Sequence, residues 1–272
     1  MVICIAGKND IASNALEYLV DKYGSQHVIV LPNQNDPGFH TWTKSFKQTA
    51  IENDVEIVST LEDLYNIKDL VFISIEFDKI IDIKKFNSDQ LYNIHFSLLP
   101  KYKGVYTSAW HILNAEERAG VTLHMLDNGI DTGDIIDQKS FQLNKTINCR
   151  DLYIMFNKYG FELFKKNISR LINKRNITVK RQPFLLSTYY SKSSIDYKNL
   201  RINLQKTAFE IDSQIRAFYF PEYQIPKIHN YPVKSSKILL KRSIKKPGTL
   251  LEDRASHFVI STIDYDLKIQ KE

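Results

Sequence analysis

Short apolar runs and stretches of helical spacing alternate along the first half of the chain. Residues 2–6 (VICIA) form one such run and end at Gly7. Apolar side chains then fall at Ile11, Ala15, Leu16, Leu19 and Val20, the spacing of a helix with one buried face. Residues 28–31 are a second apolar run, closed by the loop-forming Pro32-Asn33-Gln34-Asn35-Asp36-Pro37-Gly38. The pattern predicts a helix around 41–53 and strands at 55–58, 70–75 and 91–95. Strands this short and apolar, separated by helical stretches, belong to a mostly parallel sheet with helices on both faces, an α/β class. A long helix is predicted over 148–172, then a connector at 175–183. The remainder predicts a helix over 204–218 and short strands around 237–241 and 258–263. The expected organisation is a larger domain over 1–185 and a small one over 186–272.

Open sheets of this class bind ligands beyond the carboxyl ends of their strands. The segments Gly7–Asn9, Ser74–Phe77 and Asn93–Ser97 should converge there. The turn Ala6-Gly7-Lys8-Asn9-Asp10 holds one glycine and is neither a dinucleotide fingerprint nor a P-loop. Asn93 and His95 are two apart on a strand, so an amide and an imidazole project from one face. Gly104 permits a tight turn, and a helix over 107–114 is expected to take Thr107 as its N-cap. A strand over 120–126 leads into the loop Asp127-Asn128-Gly129-Ile130-Asp131-Thr132-Gly133-Asp134, and 135–138 resumes a strand. That loop lacks the spacing and the terminal Glu of a calcium loop. Taken singly, an Asp-x-Gly turn or a histidine at a strand end is ordinary structure. Their order and spacing carry the information.

Thirty-seven Lys and Arg against thirty-one Asp and Glu give a charge of +6. That suits an anionic substrate and is too weak to argue for nucleic acid. Two cysteines, Cys4 and Cys149, exclude a disulfide scaffold and a multi-cysteine zinc site. No apolar run approaches the ~20 residues that span a bilayer. The chain opens on a strand rather than a signal peptide, so a cytoplasmic location is expected and the Asn-x-Ser/Thr triplets at Asn144, Asn167 and Asn176 are chance matches.

The stretch Asn93-Ile94-His95-Phe96-Ser97-Leu98-Leu99-Pro100, then Tyr102-x-Gly104, Gly120-Val121-Thr122-x-His124 and Asp131-x-Gly133-x-Ile135-Ile136-x-Gln138 resembles the 10-formyltetrahydrofolate-dependent formyltransferases. The resemblance follows a Rossmann-like start, covers about 1–185, and departs at Phe96, where many members have Pro. It implies Asn93, His95 and Asp131 as the catalytic set. Formyl transfer to an amine passes through a tetrahedral oxyanion, which an amide donor such as Asn93 can stabilise. His95 can take the amine's proton, and a carboxylate at Asp131 would orient the ring and stabilise its cation. No metal is required. The resemblance also implies a pocket for 10-formyltetrahydrofolate between Ser74, Ile75, Glu76, Phe77, Asp78 and Lys79 on one side and Leu126 to Asp131, including Asp127, on the other. His124 reads as a packing residue or a site residue.

The family divides by acceptor, and the second half bears on which one is used. The segment Ile215-Arg216-Ala217-Phe218-Tyr219-Phe220-Pro221-Glu222-Tyr223 resembles the sugar N-formyltransferases, whose members act on dTDP-linked amino-dideoxy sugars of the O-antigen type. A guanidinium at Arg216 with rings at Phe218, Phe220 and Tyr223 would suit a diphosphate and a base, or form a hinge. Lys8, Asn9, Tyr102 and Trp110 are further candidates for substrate contact. The basic cluster Lys234, Lys237, Lys241, Arg242, Lys245 and Lys246 reads as a solvated hairpin face or a polyanion surface. The expectation is a nucleotide-sugar N-formyltransferase acting as a homodimer, with a methionyl-tRNA formyltransferase, a formyl-folate hydrolase or a non-catalytic module as alternatives.

Overall fold

The computed structural model describes all 272 residues, which group into two compact units. The first comprises Met1–Gly104, Gly120–Phe141 and Met155–Tyr189; the second comprises Val105–Ala119, Gln142–Ile154 and Tyr190–Glu272. No helix is long and apolar enough to cross a membrane.

The first unit is built on β1 (Val2–Gly7), α1 (Asn9–Tyr23), β2 (Val28–Pro32), α2 (Phe46–Glu52), β3 (Glu56–Ile57), β4 (Leu70–Ile75) and β5 (Leu91–His95). A short strand β6 (Lys103–Gly104) follows; α3 (Thr107–Leu113) belongs to the second unit, and β7 (Arg118–Met125) and β8 (Ile135–Gln142) complete the sheet. Seven strands run in the order β3-β2-β1-β4-β5-β7-β8. The pairs β1/β2, β1/β4, β2/β3 and β4/β5 are parallel, as the uniformly apolar runs require. β5/β7 is antiparallel, so the sheet is mixed. Ile3, Ile5, Phe72 and Ile73 are fully buried in its centre.

The long helix α4 (Cys149–Ile172) buries Phe156, Leu163, Phe164, Ile168 and Leu171, a stripe at helical spacing. Gly160 lies in that stripe. A Cβ there would come within 2.5 Å of Ile11 Cδ1, so α4 approaches α1 through the missing side chain.

After the short strand β9 (Tyr189–Tyr190), β10 (Lys227–Ile228), β11 (Tyr231–Arg242), β12 (Leu250–Asp253), β13 (His257–Ile260) and β14 (Tyr265–Lys271) form the antiparallel sheet of the second unit, in the order β10-β11-β14-β13-β12. The helix α5 (Ala208–Phe218) packs against β11 and β14, and Asp212 accepts from Ser236 Oγ at 2.7 Å. The helix expected from 204 begins at Ala208, because Thr207 and Glu210 close a reciprocal capping box. Thr107, expected as an N-cap, is the first helical residue; Tyr106 precedes it with φ 61° and its side chain makes no capping bond.

Candidate active site

Strand register builds the site in the first unit. Ser74 of β4 pairs with Asn93 of β5, and Asn93 pairs with His124 of β7. Three polar side chains therefore share one row near the strand ends, and His95 lies two residues further out, opposite Thr122. Asn93 Nδ2 donates to His124 Nε2 at 3.0 Å and, over 3.4 Å, to Asp131 Oδ1. His124 donates its Nδ1–H to the Met125 carbonyl at 2.7 Å, so its Nε2 is free to accept from Asn93. Turning the Asn93 amide over would set its oxygen against the Asp131 carboxylate, so the orientation is electrostatically fixed.

His95 has its ring held by backbone. Its Nε2 lies 2.7 Å from the Tyr102 carbonyl oxygen, an atom that can only accept, so Nε2 carries the hydrogen. Nδ1 then holds the basic lone pair, and it faces Asp131 Oδ1 at 3.5 Å. This corrects one detail of the expectation. Tyr102, through its carbonyl, sets the ring's orientation, while Asp131 sits beside the nitrogen that would become cationic. Tyr102 has φ 60°, a conformation costly for a bulky side chain, and it directs this carbonyl inward.

Asp131 also has positive φ, 55°, tolerable for a short polar side chain. Its Oδ2 accepts from Gly104 N–H at 2.8 Å, and its Oδ1 lies 3.6 Å from His124 Nε2. Burial alone would raise this carboxyl, but the neighbouring His95 ring and the Gly104 N–H outweigh it and hold Asp131 well below the usual carboxylate range. Gln182 Nε2 bridges the Asp131 and Gly133 carbonyls at 2.9 and 2.8 Å and fixes the loop. Gly133 is required there, since a Cβ would fall 1.9 Å from the Met125 oxygen. Gln182 carried no signal in the sequence beyond its position in the connector.

The loop after His95 is tied down as well. Thr122 Oγ1 donates to Ser97 O at 2.6 Å and accepts from Leu99 N–H at 3.1 Å and Gln138 Nε2 at 2.8 Å. Thr188 holds the next stretch, its Oγ1 accepting from Tyr102 N–H at 2.7 Å and its carbonyl from Lys103 N–H at 2.9 Å.

Other candidates fall in varied settings. Ser74 and Ile75 are buried in β4, Glu76 adopts φ 58°, and Lys79 is partly exposed. Phe77 and Leu126 both pack on the buried cluster of Leu91, Phe86 and Phe72. Asp127 accepts from Gly129 N–H and Thr132 Oγ1, at 3.0 and 2.6 Å, and shapes its own loop. Lys8 and Asn9 lie at the start of α1, where Asn9 Oδ1 accepts from Thr43 Oγ1 at 3.4 Å. In the second unit, Trp110 stacks on Tyr190 with centroids 4.0 Å apart.

Arg216 is engaged within its own unit. Its guanidinium is buried and donates to Asp212 Oδ2 at 2.7 Å, Ile147 O at 3.1 Å and Ser213 Oγ at 3.2 Å. It braces α5 rather than presenting a fork to an anion. Phe218 and Phe220 are buried in the same unit, and Tyr223 is exposed with its ring against Phe220. The charge in this segment is absorbed by packing, which sequence spacing does not reveal.

Residues 6–167 match the family model described as formyl transferase, and residues 194–272 match that of the formyl transferase C-terminal domain. The chain belongs to the formyltransferase family. The crystal structure of WlaRD, a sugar 3N-formyltransferase in the presence of dTDP and 5-N-formyl-THF, superposes on this formyltransferase with a TM-score of 0.92 at 45% identity, over 100% of this chain and 97% of the other. An N-formyltransferase from Helicobacter canadensis, solved with folinic acid and dTDP-3-aminofucose, gives the same TM-score of 0.92 and identity of 45%, with 100% of both chains covered. Among curated relatives, the methionyl-tRNA formyltransferase of Clostridioides difficile is 29% identical over 286 residues, spanning 100% of this chain and 91% of its own.

Proposed function

We infer that this formyltransferase moves the formyl group of 10-formyltetrahydrofolate to the amine of a dTDP-linked amino sugar, most simply a 3-amino sugar. The observation that carries this reading is the 45% identity, over the whole chain, to two sugar-modifying relatives solved with a folate and a dTDP compound. A 4-N formyltransferase from Francisella tularensis is only 22% identical and shares the fold. The tRNA reading draws on a relative 29% identical and is the weaker one.

The donor supplies the formyl carbon and a nitrogen leaving group, and Ser74–Lys79 with Leu126–Asp131 would hold its ring. The chain's own groups would then act in sequence. His95 Nδ1 takes the proton that the acceptor amine loses as it bonds to the formyl carbon. The resulting imidazolium lies beside the ionised Asp131, whose charge offsets it. Asn93 turns the N–H of its longer 3.4 Å bond toward the developing oxyanion. His95 returns the proton to the departing folate nitrogen as the carbon–nitrogen bond breaks. Residues 1–185 carry this chemistry in our reading, and 186–272 serve closure and self-association as a homodimer. Two unpaired buried cysteines fit a reducing compartment such as the cytoplasm.

The test is incubation with formyl donor and a panel of dTDP-amino sugars, read by the mass gain of one formyl group. Product is expected with a 3-amino sugar. Asn93→Ala and His95→Ala should each lower turnover by ~10²–10⁴-fold while melting near the parent temperature. Formylation of charged initiator tRNA alone, with no sugar accepted, would overturn the reading.

A further inference from the structure

Lys103 was not singled out by any pattern in the sequence, yet its setting is unusual. It is 8% exposed. Its backbone N–H is bonded to Thr188, but its ammonium has neither a carboxylate partner nor a carbonyl acceptor. Lysines are rarely buried to this extent unless paired. A lysine in this setting covers its aliphatic stem and keeps its ammonium for a polar partner or water.

Its position gives this charge a use. Tyr102 on one side fixes His95 through its carbonyl, and Gly104 on the other fixes Asp131 through its N–H. The backbone of Lys103 is therefore immobilised by the same bonds that hold the catalytic pair. A lysine side chain reaches roughly 6 Å from its Cα. In a nucleotide-linked 3-amino sugar the phosphorus on the anomeric oxygen lies about 6 Å from the amine. The carboxylates of a folate lie farther from the formyl nitrogen, roughly 9 Å or more, beyond the aminobenzoyl ring. A compact ammonium carried by the residue between the two that hold His95 and Asp131 matches the first anion better than the second.

We propose that Lys103 is the anion anchor of the acceptor site and binds the diphosphate of the nucleotide sugar. This rests on the acceptor being a nucleotide sugar. It assigns to a buried, unpaired lysine the role that Arg216, committed to Asp212 and Ile147, does not fill.

The probe is dTDP alone, titrated calorimetrically into the parent protein, Lys103→Met and Lys103→Arg. Steady-state kinetics with the donor and a dTDP-3-amino sugar run alongside. Lys103→Met should weaken dTDP at least fivefold and raise the KM for the sugar nucleotide to a similar extent, with the KM for the donor within twofold. Lys103→Arg should recover most of both. If Lys103→Met fails to fold, Lys103→Gln replaces it. A dTDP affinity changed less than fivefold overturns the assignment, as does a rise confined to the donor KM. A parent enzyme that binds dTDP through Lys103 but formylates no sugar nucleotide would count against the proposed reaction and leave the anchor standing.

Discussion

Gly133→Ala tests whether the loop carrying Asp131 sets the rate. The added methyl would start 1.9 Å from the Met125 carbonyl oxygen. Carbon and oxygen approach no closer than about 3.3 Å in ordinary contacts, so the backbone must yield by roughly 1.4 Å. The Met125 side is pinned to the sheet, because Met125 pairs with Tyr92 of β5 and Leu126 N–H donates to Leu91 O at 2.8 Å. The displacement therefore falls on residues 131–133, where Gln182 grips two carbonyls and Asp131 meets Gly104. Overpacking of this kind costs about 1–3 kcal/mol. An ångström of misplacement at a catalytic group costs about 10²-fold. The assay is formyl transfer followed by product mass, with thermal melting and the kinetic constants for both substrates. The expected result is a fall of about 100-fold in kcat/KM together with a Tm lower by several degrees. Turnover within threefold of the parent at unchanged Tm would show that the loop does not fix Asp131 and would refute the reasoning.

Three further outcomes follow from the same structure. Asp131 has a folded pKa below its unfolded value of about 3.9, so its stabilising contribution is present above that pH and is lost as pH falls through the folded value. Asp131→Asn should therefore flatten the dependence of unfolding free energy on pH between pH 4 and 3 by up to about 1.4 kcal/mol per pH unit, measured by urea titration; an unchanged slope contradicts it. Arg216→Leu should destabilise by about 2 kcal/mol, since it leaves Asp212 with a lost partner, yet leave the KM for the sugar nucleotide within twofold; a large KM effect without destabilisation would restore the substrate-contact reading. Burial pushes the Cys4 thiol up, and the Cys149 thiol up to about 12. Neither should react with a thiol reagent until the chain unfolds, and labelling of native protein within minutes would count against their burial.

The sheet and its catalytic strand were legible because their determinants are local. Uniform apolar runs such as 70–75 and 91–95 recover β4 and β5 to the residue. Asn93 and His95 two apart on a strand place an amide and an imidazole together by pleat alone. Asp131 reached them only through the motif's likeness to a family, since nothing local says that a loop 36 residues on folds back to His95. What stayed hidden depends on partners distant in sequence. The Tyr102 carbonyl has no side-chain signature, Gln182 acts 51 residues from Asp131, and Lys103 stands out only once burial is known. For Arg216 the sequence leaves a ligand contact and a hinge open, and spacing does not reveal that Asp212 and the Ile147 carbonyl take up its guanidinium. The antiparallel β5/β7 pair escaped because an apolar strand does not announce its direction.

One three-residue strand-and-turn segment, Tyr102 to Gly104, grips His95 with a main-chain oxygen and Asp131 with a main-chain nitrogen. Neither grip depends on which side chain residue 102 carries. A change of side chain that keeps the backbone conformation therefore leaves both contacts in place. Sliding that segment as a body, by contrast, would release both groups together, so activity would vanish in a single step and not fade by degrees.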